Sequence, residues 1–519
     1  MNADGLPPPQ GERHILSAEE ELRLEVAFSK SSTLTLTLQK GSVELQGVEL
    51  AIGKPCVLVD GGLKLALFTW YGCVIDVNCD DAEHNLEISY TSDETNCNIA
   101  YVNTHAQLEA LRDQAASACA ADDAEASYAA TEGPRVLICG PTESGKSSLA
   151  KLLIAYATKL GRTPLLVDLD PADNSCSVPG TLAVCPMTRD SVTVQCFATT
   201  GVPVGTTAPL VLWHGSSNKL SPDLFKAQVS ALGEKIDRRL RADDWERSSG
   251  IIVNTNGWIQ DEGYQLLLHS VQVLRISVVL IMGHDRLYSM MKNSLKKVNE
   301  STKVIKVPRS GGVVQRDANF LRQCRSRAMK RYFYGDMVES TSHATKLGGN
   351  AAAAAAMVSS TPNTTHIPRV PQLTPFLLQI PLHQVTLYRF ASMSLSASLL
   401  PVAAAQTTEP VRLEKVEWSN STNAGGGSSS SGETTTDPKS KLSTTHPLQQ
   451  NALLAVCHPK AVAAYEQSGK ARDLYQAGVA GFCAVERVLL ETDMLHLLCP
   501  CAGSLPSNTL LLGDVTWME

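Results

Sequence analysis

The sequence predicts a multidomain chain. A central α/β domain with a mostly parallel sheet is flanked by an N-terminal β-sandwich-like domain and a C-terminal β-rich domain. Three observations point there. The chain has 519 residues, 43% hydrophobic and 19% charged, too many for one core and suited to roughly two to four globular domains. From residue 134 onward, apolar runs alternate with amphipathic stretches, the rhythm of βαβ units. On either side, short runs alternate apolar and polar residues between Gly-containing breaks.

Taken in order, residues 1–14 are expected to be a disordered N-terminus. Residues 15–105 form the N-terminal β domain; within them "TLTLTLQKGSVELQGVELAIGKPCVLVDGG" alternates in side-chain character and breaks at Gly41, Gly47, Gly53 and Gly61–Gly62. Residues 106–133 read as helix and linker. The central domain, 134–346, contains the strands "RVLICG", "TPLLVDLD", "PLVLWHG", "GIIVNTNGW", "SVVLIMG" and "KVIKVP", with helices after Gly145 and over 221–241 and 263–274. A low-complexity insertion, 347–374, holds six alanines from Ala351. The C-terminal β-rich domain, 375–519, is interrupted by 419–446, whose Gly/Ser-rich composition cannot bury enough apolar surface to fold.

Composition narrows the function. A net charge of −7 gives no overall basic field of the kind nucleic-acid binders often carry, although 307–335 is locally basic. The 14 cysteines show no paired CxxC spacing, and "CPC" at 499–501 is too short for a zinc site. Reduced, buried thiols in cytosol or nucleus are expected. The opening "MNADGLPPPQGERH" lacks the apolar core of a signal peptide, and no apolar run reaches spanning length, so no membrane association is expected.

The chemistry concentrates in "GPTESGKSS", 140–148. A strand feeds this loop and a helix leaves it with Leu149, Leu152, Leu153, Tyr156 and Leu160 on one face. Gly140, Thr142, Glu143, Ser144, Gly145, Lys146, Ser147 and Ser148 thereby become a cradle for nucleotide phosphates, with backbone N–H groups and a helix N-terminus turned to the anion. Lys146 would reach the β- and γ-phosphates and Ser147 would ligate Mg²⁺, which indicates ATP or GTP.

Downstream, "LLVDLDPADN" places Asp168 and Asp170 on one strand face. Asp170, beyond the strand end beside Pro171, is the candidate for a metal-linked or water-linked carboxylate; a solvated Asp opening a turn is the alternative. In "VPRSGGVVQRDANFLRQCRSRAMKRYFYG", 307–335, the double glycine permits a hinge and Arg309, Arg316, Arg322, Arg325, Arg327, Lys330 and Arg331 follow. A lid of arginines over a transferring phosphoryl group and a solvated basic helix face are both open. Trp258 in "NTNGW" could stack on a base or fill a core, and Ser216 and Ser217 on the loop "WHGSSNKLSP" could contact phosphate. The histidines have no ligand spacing, so no metal beyond Mg²⁺ is indicated.

These motifs in this order resemble the eukaryotic polyribonucleotide 5′-hydroxyl kinases of pre-mRNA cleavage complex II. "ELRLEV", "FTWYGC" and "YVNTHAQLEALR" look like the family's N-terminal domain. "GPRVLICGPTESGKSS", "SVPGT", "NTNGW", "SGGVVQR" and "YFYG" look like its kinase core, and "AGFCAVERV" and "LPSNTLLLGDVTWME" like its C-terminal domain. The resemblance implies transfer of the ATP γ-phosphate to an RNA 5′-hydroxyl. Asp170 would activate the hydroxyl, Trp258 would position the terminal nucleotide, Arg316 and Arg325 would be lid residues, and Glu21 would contact the adenine. It also implies a nuclear location, partners among the pre-mRNA cleavage and polyadenylation factor subunits, and in animals the tRNA-splicing endonuclease.

Three positions depart from the family's pattern. Pro171-Ala172-Asp173-Asn174 stands where active members read Val-Gly-Gln-Gly, Leu321 stands where a lid arginine is expected, and Gly283 where an Asp is common. A negative Asp173 near a polyanion would oppose transfer. Two functions therefore follow from the resemblance, a kinase that turns ATP over and a catalytically silent ATP-bound scaffold for protein partners.

Overall fold

The computed structural model describes residues 7–9, 11–28, 33–58, 61–79, 86–120, 128–198, 208–218, 220–298, 301–335, 373–391, 411–418 and 448–517. Most of the 347–374 insertion and the whole of 419–446 lie outside the described residues. The chain divides into two compact units, Met1–Leu210 with Val229–Leu373, and Val211–Gln228 with Thr374–Glu519.

The first unit opens with a sandwich of nine strands, β1 (Glu12–Leu16), β2 (Glu21–Val26), β3 (Leu34–Gly41), β4 (Glu44–Leu45), β5 (Val48–Glu49), β6 (Pro55–Leu58), β7 (Leu63–Phe68), β8 (Cys73–Cys79) and β9 (Leu86–Ser92). One antiparallel sheet has the order β1-β8-β3-β6, the other β5-β4-β7-β2-β9. β1 begins inside the stretch expected to be disordered. The Arg13 guanidinium pairs bidentately with the fully buried Asp76 carboxylate at 2.6 and 2.9 Å, which ties the segment to β8. Along β2 the side chains alternate: Leu22, Leu24 and Val26 enter the sandwich core, while Glu21 and Arg23 point to the opposite face. That face is also buried, an unusual place for an acid and a base.

Helix α1 (Asn96–Ala120) leads to the central sheet. There β10 (Arg135–Cys139) is followed by α2 (Lys146–Lys159), β11 (Leu165–Leu169), β12 (Thr181–Pro186) and the short α3 (Val194–Ala198). β13 (Leu210–Trp213) and α4 (Pro222–Ala242) each span a boundary between the two units. Then come α5 (Asp244–Ser249), β14 (Ile251–Thr255), α6 (Asp261–Val273), β15 (Val278–Met282), α7 (Asp285–Val298), β16 (Lys303–Val307) and α8 (Ala318–Tyr334). Within the first unit the strands run β12-β11-β14-β10-β15-β16, parallel except for β12. Strands β10, β11, β14 and β15 are buried at every residue, as a sheet covered on both faces requires. The sandwich rests on α2 through Gly47, whose absent Cβ would lie 2.9 Å from Ala155, and through Tyr156, whose hydroxyl donates to Glu44 at 2.5 Å.

The second unit is built on a sheet of β17 (Phe376–Pro381), β18 (Thr386–Phe390), β19 (Leu413–Lys415), β20 (Ala452–Cys457), β21 (Val479–Leu489), β22 (Met494–Cys499) and β23 (Thr509–Thr516), in the order β17-β22-β21-β20-β23-β18-β19. Residues 211–228, read from sequence as part of the central domain, belong to this unit. Trp213 packs on Phe482 with ring centroids 5.5 Å apart, and Gln228 donates to the Tyr475 carbonyl at 3.2 Å. Among the described residues, no helix is long and apolar enough to cross a membrane.

One buried base gives the first unit an acid sensitivity. His105 of α1 stacks on Tyr156 at 5.3 Å, and its Nδ1 has no hydrogen-bond partner. Burial, with the Arg112 charge nearby, lowers its pKa from 6.5 to about 4. The unfolded chain therefore takes up this proton first, and stability is lost as pH falls from 6.5 toward 4. In thermal melts at pH 7 and pH 5, His105→Phe should show a smaller acid-induced fall in Tm than the parent; an equal fall would contradict the assignment.

Candidate functional site

β10 is the middle of the sheet, and the loop Gly140–Gly145 leaves its carboxyl end, where open α/β sheets place their ligands. Glu143 (φ 53°) and Gly145 (φ 89°) adopt left-handed backbone, which turns the loop back on itself toward α2. Gly145 caps α2 without any side-chain hydrogen bond, so the first N–H groups of the helix keep their capacity for an anion. Lys146 is 7% exposed and its Nζ donates to the Pro141 carbonyl at 2.7 Å; Ser144 Oγ donates to the same oxygen at 2.9 Å. Burial depresses the Lys146 pKa while the Asp170 carboxylate supports its charge.

The end of β11 supplies the acids, and the structure separates their tasks. Asp168 has no solvent exposure. Its Oδ1 accepts from the Asp170 N–H and from Asn254 Nδ2, both at 3.1 Å, and its Oδ2 from the Ser175 N–H at 2.7 Å. Burial, reinforced by the Asp170 charge, raises its carboxyl to about 7. Asp170 lies one turn of loop further on, faces a cavity, and accepts from the Ala172 N–H at 3.0 Å. Burial and then the Asp173 charge raise its pKa as well. Asn174 holds the loop from below, donating to Thr181 O at 3.0 Å and accepting from the Cys176 and Ser177 N–H groups at 2.9 and 3.1 Å.

The cavity, about 680 Å³, is large enough for a nucleotide and more. Its walls bring together Thr142, Glu143, Ser144, Gly145, Lys146, Ser147 and Ser148 of the loop with Asp170, Arg316, Arg325 and, from the sandwich, Glu21. Gly140 lies behind this wall, packed on Met282. Ser147 Oγ is 3.5 Å from Asn254 Oδ1. Ser147 hydroxyl and Asp170 carboxylate are hard oxygen donors on the same cavity, a donor set whose chemistry suits a hard divalent cation.

The Arg-rich segment crosses above the loop. Arg316 N–H donates to Glu143 Oε1 at 2.6 Å, and its guanidinium pairs with Asp173 at 3.0 Å. Val313 would touch a Cβ at Gly145 (3.3 Å), so the segment rests on the phosphate loop itself. The second glycine answers a packing demand: a Cβ on Gly312 would lie 2.8 Å from Arg23 Nε and 3.2 Å from Glu21 Oε1. Glu21, the expected adenine contact, is held by Arg23 at 2.7 Å, and Arg23 is held in turn by Tyr90 at 3.1 Å.

Other nominated residues are placed differently. Leu321 lines the cavity while Arg322, one helical step on, is exposed and donates to Asn319 at 3.1 Å. Gly283 has φ 54°, and an added Cβ would lie 3.1 Å from the Arg309 Cβ, a position strained for an Asp. Trp258 is 42% exposed and stands outside the cavity wall, beside Gly257, which belongs to it. Ser216 is in the second unit, where its hydroxyl donates to Asp514 at 2.9 Å. Asn254, Arg23 and Lys151 escaped the sequence reading. The polar Asn254 inside the apolar run "IIVNT" was the readable signal; the others have none before folding.

With this geometry in view, comparison with known proteins gives a consistent pattern. Residues 15–115 match the N-terminal β-sandwich domain of polyadenylation factor, 140–335 the P-loop of mRNA cleavage and polyadenylation factor CLP1, and 373–519 pre-mRNA cleavage complex II protein Clp1. The mRNA cleavage and polyadenylation factor clp1 of Neosartorya fischeri is 31% identical over 554 residues, 96% of this chain and 93% of that protein. The polyribonucleotide 5′-hydroxyl-kinase Clp1 of Homo sapiens is 28% identical, covering 97% of this chain and 96% of its own length. A solved Clp1p–Pcf11p complex superimposes with TM-score 0.69 at 20% identity, over 99% of this chain and 100% of that one, a likeness of fold.

A probe of the cradle lies outside it. A Cβ on Gly257 would fall 2.3 Å from Thr142 Cγ2 and 2.6 Å from the Thr142 backbone nitrogen, so the loop has to move. Gly257→Ala should weaken ATP binding by about tenfold or more in an equilibrium titration, because small displacements of positioned groups are strongly felt. An unchanged affinity would show that Thr142 does not define the cradle.

Proposed function

Because the chain belongs to the Clp1 family of pre-mRNA cleavage and polyadenylation factors, we propose that it binds ATP in the loop cavity and transfers the γ-phosphate to an RNA 5′-hydroxyl within mRNA 3′-end processing. The observation that supports this reading best is the convergence on one cavity of a phosphate loop, a carboxylate and arginines carried on a separate segment. A protein that only stored ATP needs the first of these; transfer needs all three.

In this reading the loop N–H groups, Lys146 and Ser147 hold the phosphates, and Glu21 on β2 faces the adenine. Ser147 and Asp170 would hold Mg²⁺, which would supply neutralisation of phosphate charge. Asp170, on the cavity wall, would accept the proton of the attacking 5′-hydroxyl. The new P–O bond forms to that oxygen as the bond to the β–γ bridging oxygen breaks and ADP departs. Arg316 and Arg325, on the same cavity wall, would meet the charge that develops. Trp258, exposed beside the cavity wall, would stack on the terminal base.

The setting is nuclear, with cleavage and polyadenylation factor subunits as partners, and in an animal the tRNA-splicing endonuclease as well. One contact favours the second reading, an ATP-bound scaffold without turnover: Asp173 already occupies Arg316.

The test uses a 5′-hydroxyl oligoribonucleotide and γ-labelled ATP. Label should pass to the RNA end, and Lys146→Ala and Asp170→Asn should each lower the rate by roughly 100-fold or more. Tight ATP binding with no transfer by the parent protein at high concentration would replace the kinase by the scaffold.

A further inference from the structure

Asp173 has two possible fates in an ATP-binding cavity: a stray negative charge that repels the phosphates, or a charge already spoken for. The structure shows the second. The Asp173 carboxylate receives the Arg316 guanidinium at 3.0 Å, with both side chains about one-third exposed on the cavity wall. Arg316 is fixed at its other end too, since its N–H donates to Glu143 Oε1 at 2.6 Å. The two loops that flank the phosphates, one after β10 and one after β11, thus grip a single residue of the segment above them. Asp173 is itself held in place, because Asp168 and Asn174 bind the backbone of its loop on both sides.

We propose that Asp173 is a positioning residue that restrains the lid arginine, so that Arg316 must exchange the Asp173 carboxylate for a γ-phosphate oxygen before it can assist transfer. This deepens the kinase reading and rests on it for its catalytic consequence, but the exchange can be read by binding alone. A guanidinium bound to a carboxylate is unavailable to a phosphate at the same edge, and charge-assisted pairs of this kind resist exchange more when partly desolvated. Lys151 adds its positive charge to the field at the same carboxylate and donates to the Phe197 carbonyl at 3.1 Å.

The experiment measures two quantities for the full chain and its variants Asp173→Asn, Asp173→Glu, Arg316→Ala and the double variant Asp173→Asn/Arg316→Ala. The first is the ratio of ADP to ATP dissociation constants, which reports contact with the γ-phosphate. The second is kcat and KM for label transfer from ATP to a 5′-hydroxyl oligoribonucleotide. Asp173→Asn should raise the ratio about three- to tenfold, as expected for one released charged contact. It should raise kcat by a similar factor with KM for RNA changed less than twofold. Asp173→Glu, which keeps the charge, should resemble the parent, and Arg316→Ala alone should lower the ratio, because it leaves the Asp173 charge unpaired beside the phosphates. The gain should vanish in the double variant.

An unchanged ratio in Asp173→Asn overturns the proposal, and so does an equal gain without Arg316, which would make the effect simple removal of a negative charge. Absence of label transfer from every protein, with the ratio shifting as stated, removes the kinase reading and leaves the restraint established.

Discussion

The site is organised around a carboxylate that never meets solvent. Asp168 collects three donors, from Asp170, Ser175 and Asn254, and these bonds bend the chain after β11 into one shape. That shape presents Asp170 and Asp173 to the cavity while the acid responsible stays beneath it. Asn254, at the end of neighbouring β14, joins this support to Ser147 at the start of α2. A buried carboxylate is tolerated only when its hydrogen-bonding capacity is filled, and filling it here positions every group on the acidic side of the site.

The same logic governs the sandwich. β2 buries leucines on one face and the Glu21–Arg23 pair on the other, which is natural only if that second face borders a polar cavity. Gly312 exists as glycine because the pair leaves no room for a Cβ. The N-terminal domain is therefore a wall of the site and a seat for the Arg-rich segment. Phosphate loop, acidic loop and lid are each held by contacts to another, Glu143 and Asp173 to Arg316, Gly312 to Arg23, so none is set independently.

Local patterns were legible in the sequence. The strand–loop–helix around Lys146 and the strand that ends at Leu169 need only neighbouring residues to declare themselves, and the placement of Asp170 beyond its strand follows from the pleat. Contacts between distant segments were not legible. Arg316 and Asp173 are 143 positions apart, and Ser216 finds Asp514 across 298, so a loop read as part of the central domain lies in the C-terminal unit. At Gly312 the limit is of the same kind: a sequence shows that glycine is present, and only packing shows which neighbours crowd it.

Joint construction of one cavity by three segments is the central claim, and hydrogen–deuterium exchange with and without ATP addresses it directly. If the segments share a ligand, ATP slows backbone exchange together at 140–148, 168–175 and 309–317, and by a similar factor in each. Protection confined to 140–148, with the other two segments exchanging as in the free protein, would contradict the account.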